Sequence, residues 1–283
     1  MRVFPCKKIL KAVVVGAWLS TGAVRVQAQA SALPSAQSAP VSDEGAHGRQ
    51  LLDQMIAALG GQAWLSRSTE RLEGRSATFY KGLPNPYEAQ FEEYLRVAPF
   101  GERVVVVSKQ GVFIPTTKRD VVEIWTTENG YEVSYHGRKE LPKIDVEDFE
   151  RRRLHSLDIV VLDWLKRPGT LVTFEGSNMD DRHLVDHVSI LTPDNDAVTL
   201  GLDQETHLPR SRTFQWRNPI YKDLDTDLER YDDWQTKGGI MTPLTITRYH
   251  NGDMASQRFL TKVQYGLPLA PELFDPDHSL PKK

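Results

Sequence analysis

The chain of 283 residues contains one cysteine, Cys6, inside a basic amino-terminal segment. If that segment is removed, no cysteine is left. Disulfides, a thiol nucleophile and a thiolate metal site are then excluded, and stability must come from a hydrophobic core. The sequence also lacks G-x-S-x-G, a phosphate-binding G-x-x-x-x-G-K-[ST], H-E-x-x-H and G-x-G-x-x-G. No motif therefore announces a hydrolase elbow, a nucleotide, a catalytic zinc or a dinucleotide, and the expectation is a non-enzyme with no cofactor and no metal. Beyond the first 30 residues no apolar run approaches the ~18 residues of a membrane-spanning helix. Positive charge is scarce as well. The formal net charge is −3, so nucleic acid is not an expected partner.

The amino terminus reads as an address. Arg2, Lys7, Lys8 and Lys11 precede an apolar run from Ala12 to Val24, and Ala28-Gln29-Ala30 is an A-x-A site before Ser31. This is the pattern of a secretory signal peptide, so export to the periplasm as a soluble protein is expected after cleavage near Ala30. Removing residues 1–30 takes away five basic residues and no acid, leaving 253 residues at net charge −8. That length is enough to bury a core. Residues 31–47 are rich in Ser, Ala and Pro and read as a flexible leader. A single domain is expected over 48–276, with a loose tail at 277–283.

The folded part opens on helical spacing at Leu51, Leu52, Met55, Ile56 and Leu59, stopped by Gly60-Gly61. The period then becomes two. Strands are predicted over 72–80, 87–98, 102–109, 111–114, 120–127 and 131–135. A helix over 145–166 interrupts them, with Asp145 as N-cap and Pro168-Gly169 as its stop. Further strands follow over 170–176, 183–191, 197–203, 208–217, 227–236, 241–250 and 254–265. Short turns between long strands imply an antiparallel meander, and strands of this length must twist and curl. The predicted fold class is mainly β with helices: a curved antiparallel half-barrel, a lipocalin-like open barrel, with helices covering its open side.

Three stretches tempt a chemical reading. His183 and His187 are spaced to chelate on a helix, but their flanks read as a strand. There they stand roughly 13 Å apart at ~3.3 Å per residue, too far for one ion. The acids from Asp223 to Glu229 resemble a calcium loop, yet its sixth and twelfth positions are Leu228 and Trp234 rather than Gly and Glu. Asp203, Glu205 and His207 lie close together at a predicted hairpin tip, where exposed groups make poor catalysts. Alanine at any of the three is expected to cost ~1 kcal/mol or less.

That hairpin also carries a resemblance. Leu202-Asp203-x-x-Thr206-x-Leu208-Pro209 is similar to the L-D-x-x-T-x-L-P hairpin of the outer-membrane lipoprotein-sorting (LolA-like) family. Ala57-Ala58-Leu59-Gly60-Gly61 before Leu72-Glu73-Gly74 resembles the start of secreted members. Phe259-x-x-x-Val263-x-Tyr265 before Leu273-Phe274-Asp275 resembles their last strand and closing turn. The resemblance implies a half-barrel whose apolar concave face holds acyl chains during transport across the periplasm, as a chaperone does. Its implied partners are an acylated lipoprotein or another lipid, and an inner- or outer-membrane complex. It also implies an arginine that bonds the lid to the barrel, for which Arg75, Arg96 and Arg103 all stand as candidates.

A carrier makes physical sense. Each CH₂ withdrawn from water is worth about 0.8 kcal/mol, so acyl chains need a wide apolar surface that can open. Strand parity puts Leu95, Val122, Ile124, Phe174, Leu200, Phe214, Trp216, Leu244, Ile246, Phe259 and Val263 on that surface. Phe149, Leu157, Val160, Val161 and Trp164 form the apolar face of the lid helix. Two other readings use the same residues: an envelope sensor or structural module, and a secreted hydrolase without a recognised motif.

Overall fold

The opening helix, α1 (Val41–Leu59), and the single turn α2 (Gln62–Leu65) bury Leu51, Leu52, Met55, Leu59 and Trp64. The structure, a computed structural model, describes residues 41–86, 88–107, 121–134 and 136–278. Helix α1 starts inside the stretch expected to be a flexible leader. Asp43 and Glu44 lie in its first turn, where the helix dipole favours negative charge, so residues 41–47 extend the helix. The predicted signal peptide and the strand at 111–114 lie outside the described residues. Among the described residues no helix is long and apolar enough to cross a membrane.

Strands β1 (Thr69–Tyr80), β2 (Leu83–Pro84), β3 (Ala89–Arg96), β4 (Gly101–Val107), β5 (Val121–Trp125), β6 (Gly130–Ser134) and β7 (Gly137–Glu140) come first. Next come α3 (Lys143–Leu154), α4 (Leu157–Leu162) and a 3₁₀ turn, Trp164–Lys166. The chain ends with β8 (Leu171–Asp180), β9 (His183–Leu191), β10 (Ala197–Asp203), β11 (Pro209–Arg217), β12 (Leu224–Lys237), β13 (Ile240–His250), β14 (Asp253–Tyr265) and a 3₁₀ turn, Pro271–Phe274. Short β7 was not anticipated from the sequence. The predicted helix over 145–166 breaks at His155-Ser156, because the Ser156 hydroxyl accepts from the Ile159 amide (3.3 Å) and starts α4 afresh.

All strand pairs are antiparallel, in the order β7-β6-β5-β4-β3-β1-β14-β13-β12-β11-β10-β9-β8, with β2 on β1 alone. β7 and β8 stay apart at the ends, so the sheet is an open, curved half-barrel with helices against it. Its centre is a distant pairing in which Leu72 faces Val263 and Thr78 faces Ser256. The register slips between Glu73 and Gly74, and Gly74 is needed there: a Cβ would overlap the Phe259 carbonyl oxygen.

The two halves of the concave face differ. Over β8 to β11, helices α1 and α4 and the Trp164 turn fill the hollow completely. Val188, Ile190, Val198 and Leu200 are fully buried there, with Met55 and Val160 packed into the same core. Over β3 to β5 and β12 to β14 the cover is thinner: α1 reaches the start of β13 at Ile240, Leu157 of α4 borders β12 and β13, and α3 above the rest buries none of its side chains.

Candidate ligand cavity

Under α3 lies a cavity of about 510 Å³. Leu95, Val97, Phe100, Val104, Phe149 and Ile246 give it an apolar lining, and Trp125 stacks on Phe149 with ring centroids 4.0 Å apart. A second cavity of about 200 Å³ sits beside it, lined by Leu72, Leu157 and Leu260. The two share Ser156, Asp158 and Ile246 in their walls.

The cavity is far from the uniformly apolar surface expected. Glu93, Glu102, Glu123 and Glu229 also line it, with Arg152, Arg153, Arg248 and Arg258. Most of these charges belong to a network that ties strands to each other and to the helices. Arg258 binds Glu93 across to β3, and Arg152 binds Asp148 within α3. Asp227, fully buried, accepts from Arg248 (2.7 Å) and lies 3.5 Å from Arg212. Arg212, also buried, reaches Glu229 (3.1 Å) and donates to the His155 carbonyl (2.9 Å). This last bond pins the α3–α4 joint to β11, and the His155 ring stacks on Phe214 at 4.3 Å. Because a carbonyl only accepts, His155 Nδ1, 2.7 Å from the Arg151 oxygen, carries the ring proton. Burial lowers the pKa of His155, so the ring stays neutral and Asp196 at 3.9 Å is not its ion-pair partner.

Several carboxyls are displaced from their ordinary range. Burial, together with the neighbouring Glu93, pushes Glu102 up to about 8 against the opposing pull of Arg258 and Arg152. Burial and Asp158 push Glu70 up to about 7, with Arg67 opposing. Burial also raises Glu123. Burial acts the same way on Glu229, but the Arg212 guanidinium and the Tyr231 hydroxyl outweigh it and leave this carboxyl lowered.

The predicted lining residues fall into four groups. Leu95, Ile246 and Phe149 line the larger cavity, and Leu157 lines the smaller. Leu244 and Val263 pack beside Phe91 and Leu260 on the same face. Leu200 and Phe214 are on the concave side but buried in the filled half under α1 and α4, with Phe174 and Trp216 partly buried against the same core. Val122, Ile124 and Phe259 require correction. Glu123 and Trp125 reach the cavity, so Val122 and Ile124 turn to the other face, against Val105 and Val133. Likewise Arg258 and Leu260 face inward, which turns Phe259 outward.

The lid also shrinks. Val160, Val161 and Trp164 are core residues that line neither cavity, leaving α3 as the cover, among the described helices, that could lift. Of the three arginine candidates, Arg75 pairs with Glu88, Arg96 with the Pro99 carbonyl and Arg103 with that of Leu273. The helices are tied to the sheet by Arg212, which donates to the His155 carbonyl, and more loosely by Arg248, 3.9 Å from Asp148 of α3, while Arg67, just before β1, binds Asp158 of α4.

At the hairpin that first drew attention, His183 donates to Asp203 (2.7 Å) and His187 meets Asn178 (3.1 Å), so the two histidines serve separate partners. Asp203 is only 4% exposed and accepts from Thr206 N (2.8 Å), Thr206 Oγ1 (3.0 Å) and Glu205 N (3.1 Å) as well. It is the organiser of the turn, and its burial and four accepted bonds argue for a larger cost of removal than the exposed tip expected from the sequence. Farther on, Asp225 accepts from the side chains of Asn218 and Asn251 at the start of β12.

No family model matches the chain, and no curated protein does. Solved structures do. A candidate outer membrane lipoprotein-sorting protein domain from Vibrio parahaemolyticus is 11% identical, with a TM-score of 0.49 over 82% of this chain and 97% of that one. A DUF1329 family protein from Desulfovibrio piger gives the same identity, TM-score and coverage. A LolA superfamily protein from Nitrosomonas europaea is 13% identical, with a TM-score of 0.45 over 80% and 96%.

Proposed function

We propose that this protein is a lipid carrier, which binds an acylated molecule between the concave sheet and α3. The observation behind this reading is the 510 Å³ cavity, with its apolar wall from β3, β4, β13 and α3. Its size is ordinary for one small ligand, for which roughly 300–1,000 Å³ is typical. A molecule with several acyl chains requires more room, so α3 must lift to admit it. Helix α3 suits that movement, because it buries no side chain and its arginines bond largely within the helix. The role is binding and transport, not catalysis, in the periplasm after loss of residues 1–30, with lipoprotein sorting as the specific setting. The acyl-bearing partner would be handed over by or to a membrane complex.

The test is to purify the mature protein without detergent, extract it with organic solvent and analyse the extract by mass spectrometry. Bound lipid, displaced by a fluorescent fatty-acid analogue, is the expected result. A protein that copurifies with no lipid and fails to bind the analogue overturns the carrier reading. Amino-terminal sequencing of the periplasmic fraction checks export, and a chain beginning at Met1 refutes it.

A further inference from the structure

The arginines in the wall of the larger cavity already have partners. Arg152 holds Asp148, Arg153 holds Glu150, Arg248 holds Asp227 and Arg258 holds Glu93. Two carboxyls of the same wall have no cation. Glu102 on β4 and Glu123 on β5 make no ion pair among the described residues, and Glu102 makes no hydrogen bond. Both rise from one face of neighbouring strands, since Glu102 lies opposite Trp125 and Val104 opposite Glu123. Charge of both signs surrounds them. Glu93 on β3 repels Glu102, and Glu132 on β6 and Asp145 on α3 repel Glu123, while Arg258 on β14 attracts Glu102 and Arg152 on α3 attracts both without bonding; Glu229, Asp158, Arg153 and Arg248 also line the wall.

A carboxylate shut away from water without a counter-ion is costly, and the carboxyl avoids the cost by keeping its proton. Burial does hold Glu102 at about 8 and raises Glu123. A cationic ligand group removes the need for the proton. The rings of Trp125, Phe149 and Phe100 line the same space; Trp125 and Phe149 stack on each other and Phe100 takes the Arg153 guanidinium, and the outer faces and π-systems of the stacked pair attract cations. Beyond them Leu95, Val104 and Ile246 offer a surface for an alkyl chain.

We infer that the cavity selects an amphiphile with a cationic, ammonium-type head, seated at Glu102 and Glu123 with its alkyl chain along Leu95, Val104 and Ile246. This rests on the carrier reading and names the ligand chemistry of the same site.

The experiment is isothermal titration of the mature protein with three amphiphiles of one chain length, each below its micellar concentration. They are dodecyltrimethylammonium, dodecanoate and a neutral dodecyl ether of tetraethylene glycol. Tetramethylammonium serves as the head without a tail. Repeating the titration at about pH 7.5 in buffers of different ionisation enthalpy counts protons released. The permanent charge of the cation means that any proton comes from the protein.

The cation is expected to bind about tenfold or more tighter than the other two amphiphiles, and to release up to about one proton. Its affinity should fall as pH drops below about 8, as protons compete for Glu102. Glu102→Gln should lose both the preference and the proton release while still binding the neutral ether. Glu123→Gln should lose part of the preference. Glu205→Gln, which removes one charge at the exposed hairpin, should lose neither. Dodecanoate binding as tightly as the cation overturns the inference, as does a preference that survives in both Glu102→Gln and Glu123→Gln. Tetramethylammonium binding as tightly as the tailed cation also overturns it. If the neutral ether binds but the heads are not distinguished, only this inference fails. If no tailed amphiphile binds the parent, the carrier reading fails too.

Discussion

Trp164 and Phe149 looked alike as lid residues, and the structure separates them. Trp164 is 2% exposed, and His155 meets its ring edge-on at 5.2 Å within a core that includes Val160 and Val161. Truncating such a side chain costs about 3–5 kcal/mol from lost transfer energy and the cavity left behind. Trp164→Glu adds the desolvation of an unpaired carboxylate, so the total rivals the ~5–15 kcal/mol that holds a typical domain together. Trp164→Glu is therefore expected to unfold the protein, and Trp164→Ala to lower its urea midpoint strongly. Phe149 projects from a helix with no buried residue and stacks on Trp125 at an interplanar angle of 8°. Such a ring pair is worth ~0.5–1.5 kcal/mol beyond its buried area. Phe149→Ala should thus cost about 1–2 kcal/mol in stability while speeding release of a fluorescent fatty-acid analogue. The assay is urea denaturation followed by circular dichroism, run beside analogue dissociation on the same preparations. A Trp164→Glu protein that melts like the parent refutes the assignment of α4 to the core. A Phe149→Ala protein that unfolds, or releases the analogue at the parental rate, refutes α3 as the movable cover.

The hairpin gives a further test: Asp203→Ala should cost about 2–4 kcal/mol through the loss of four accepted hydrogen bonds, whereas Glu205→Ala should stay within ~0.5 kcal/mol by thermal melts. Stability should peak near pH 5. Glu70 and Glu102, raised to about 7 and 8, bind more protons folded than unfolded, so stability falls as pH rises through that window; Asp203 and Glu229 are lowered, so it also falls below about pH 4. Melting temperatures that climb steadily from pH 5 to about 8 would contradict this, and Glu102→Gln should flatten the upper limb. Arg212→Ala should cost roughly 3–5 kcal/mol in urea unfolding because Asp227 and Glu229 lose a buried counter-charge. Gly74→Ala should lower the melting temperature clearly, since its Cβ would meet the Phe259 carbonyl at the slip in register.

Much of the local structure can be read along the chain. Strands β9 and β10 coincide with the predicted 183–191 and 197–203, because Val and Ile alternate there with polar residues. The helical face from Leu51 to Leu59 and its glycine stop are equally plain. The miss at β5 is instructive. Val122 and Ile124 are the more apolar set, and on apolarity alone they point inward. In fact both faces of β5 are buried, one against Val105 and Val133 and the other against α3 and the cavity. Alternation reports which residues share a face, and it does not say which face looks at a ligand. The same blindness hid Glu93, Glu102 and Glu123, whose charge made them look like a wetted side.

Local preference thus sets the helix and strand elements and the turns, since each depends on residues a few positions apart. The pairing of β1 with β14 is different in kind. It joins residues almost two hundred positions apart, and it brings Arg258 onto Glu93 and closes the centre of the half-barrel. From it follow the split between a filled half and a hollow half, the change in role of Trp164 from lid to core, and the place of Glu102 in a cavity wall. Packing and desolvation are properties of surfaces brought together, and they have no counterpart in the order of residues along a chain.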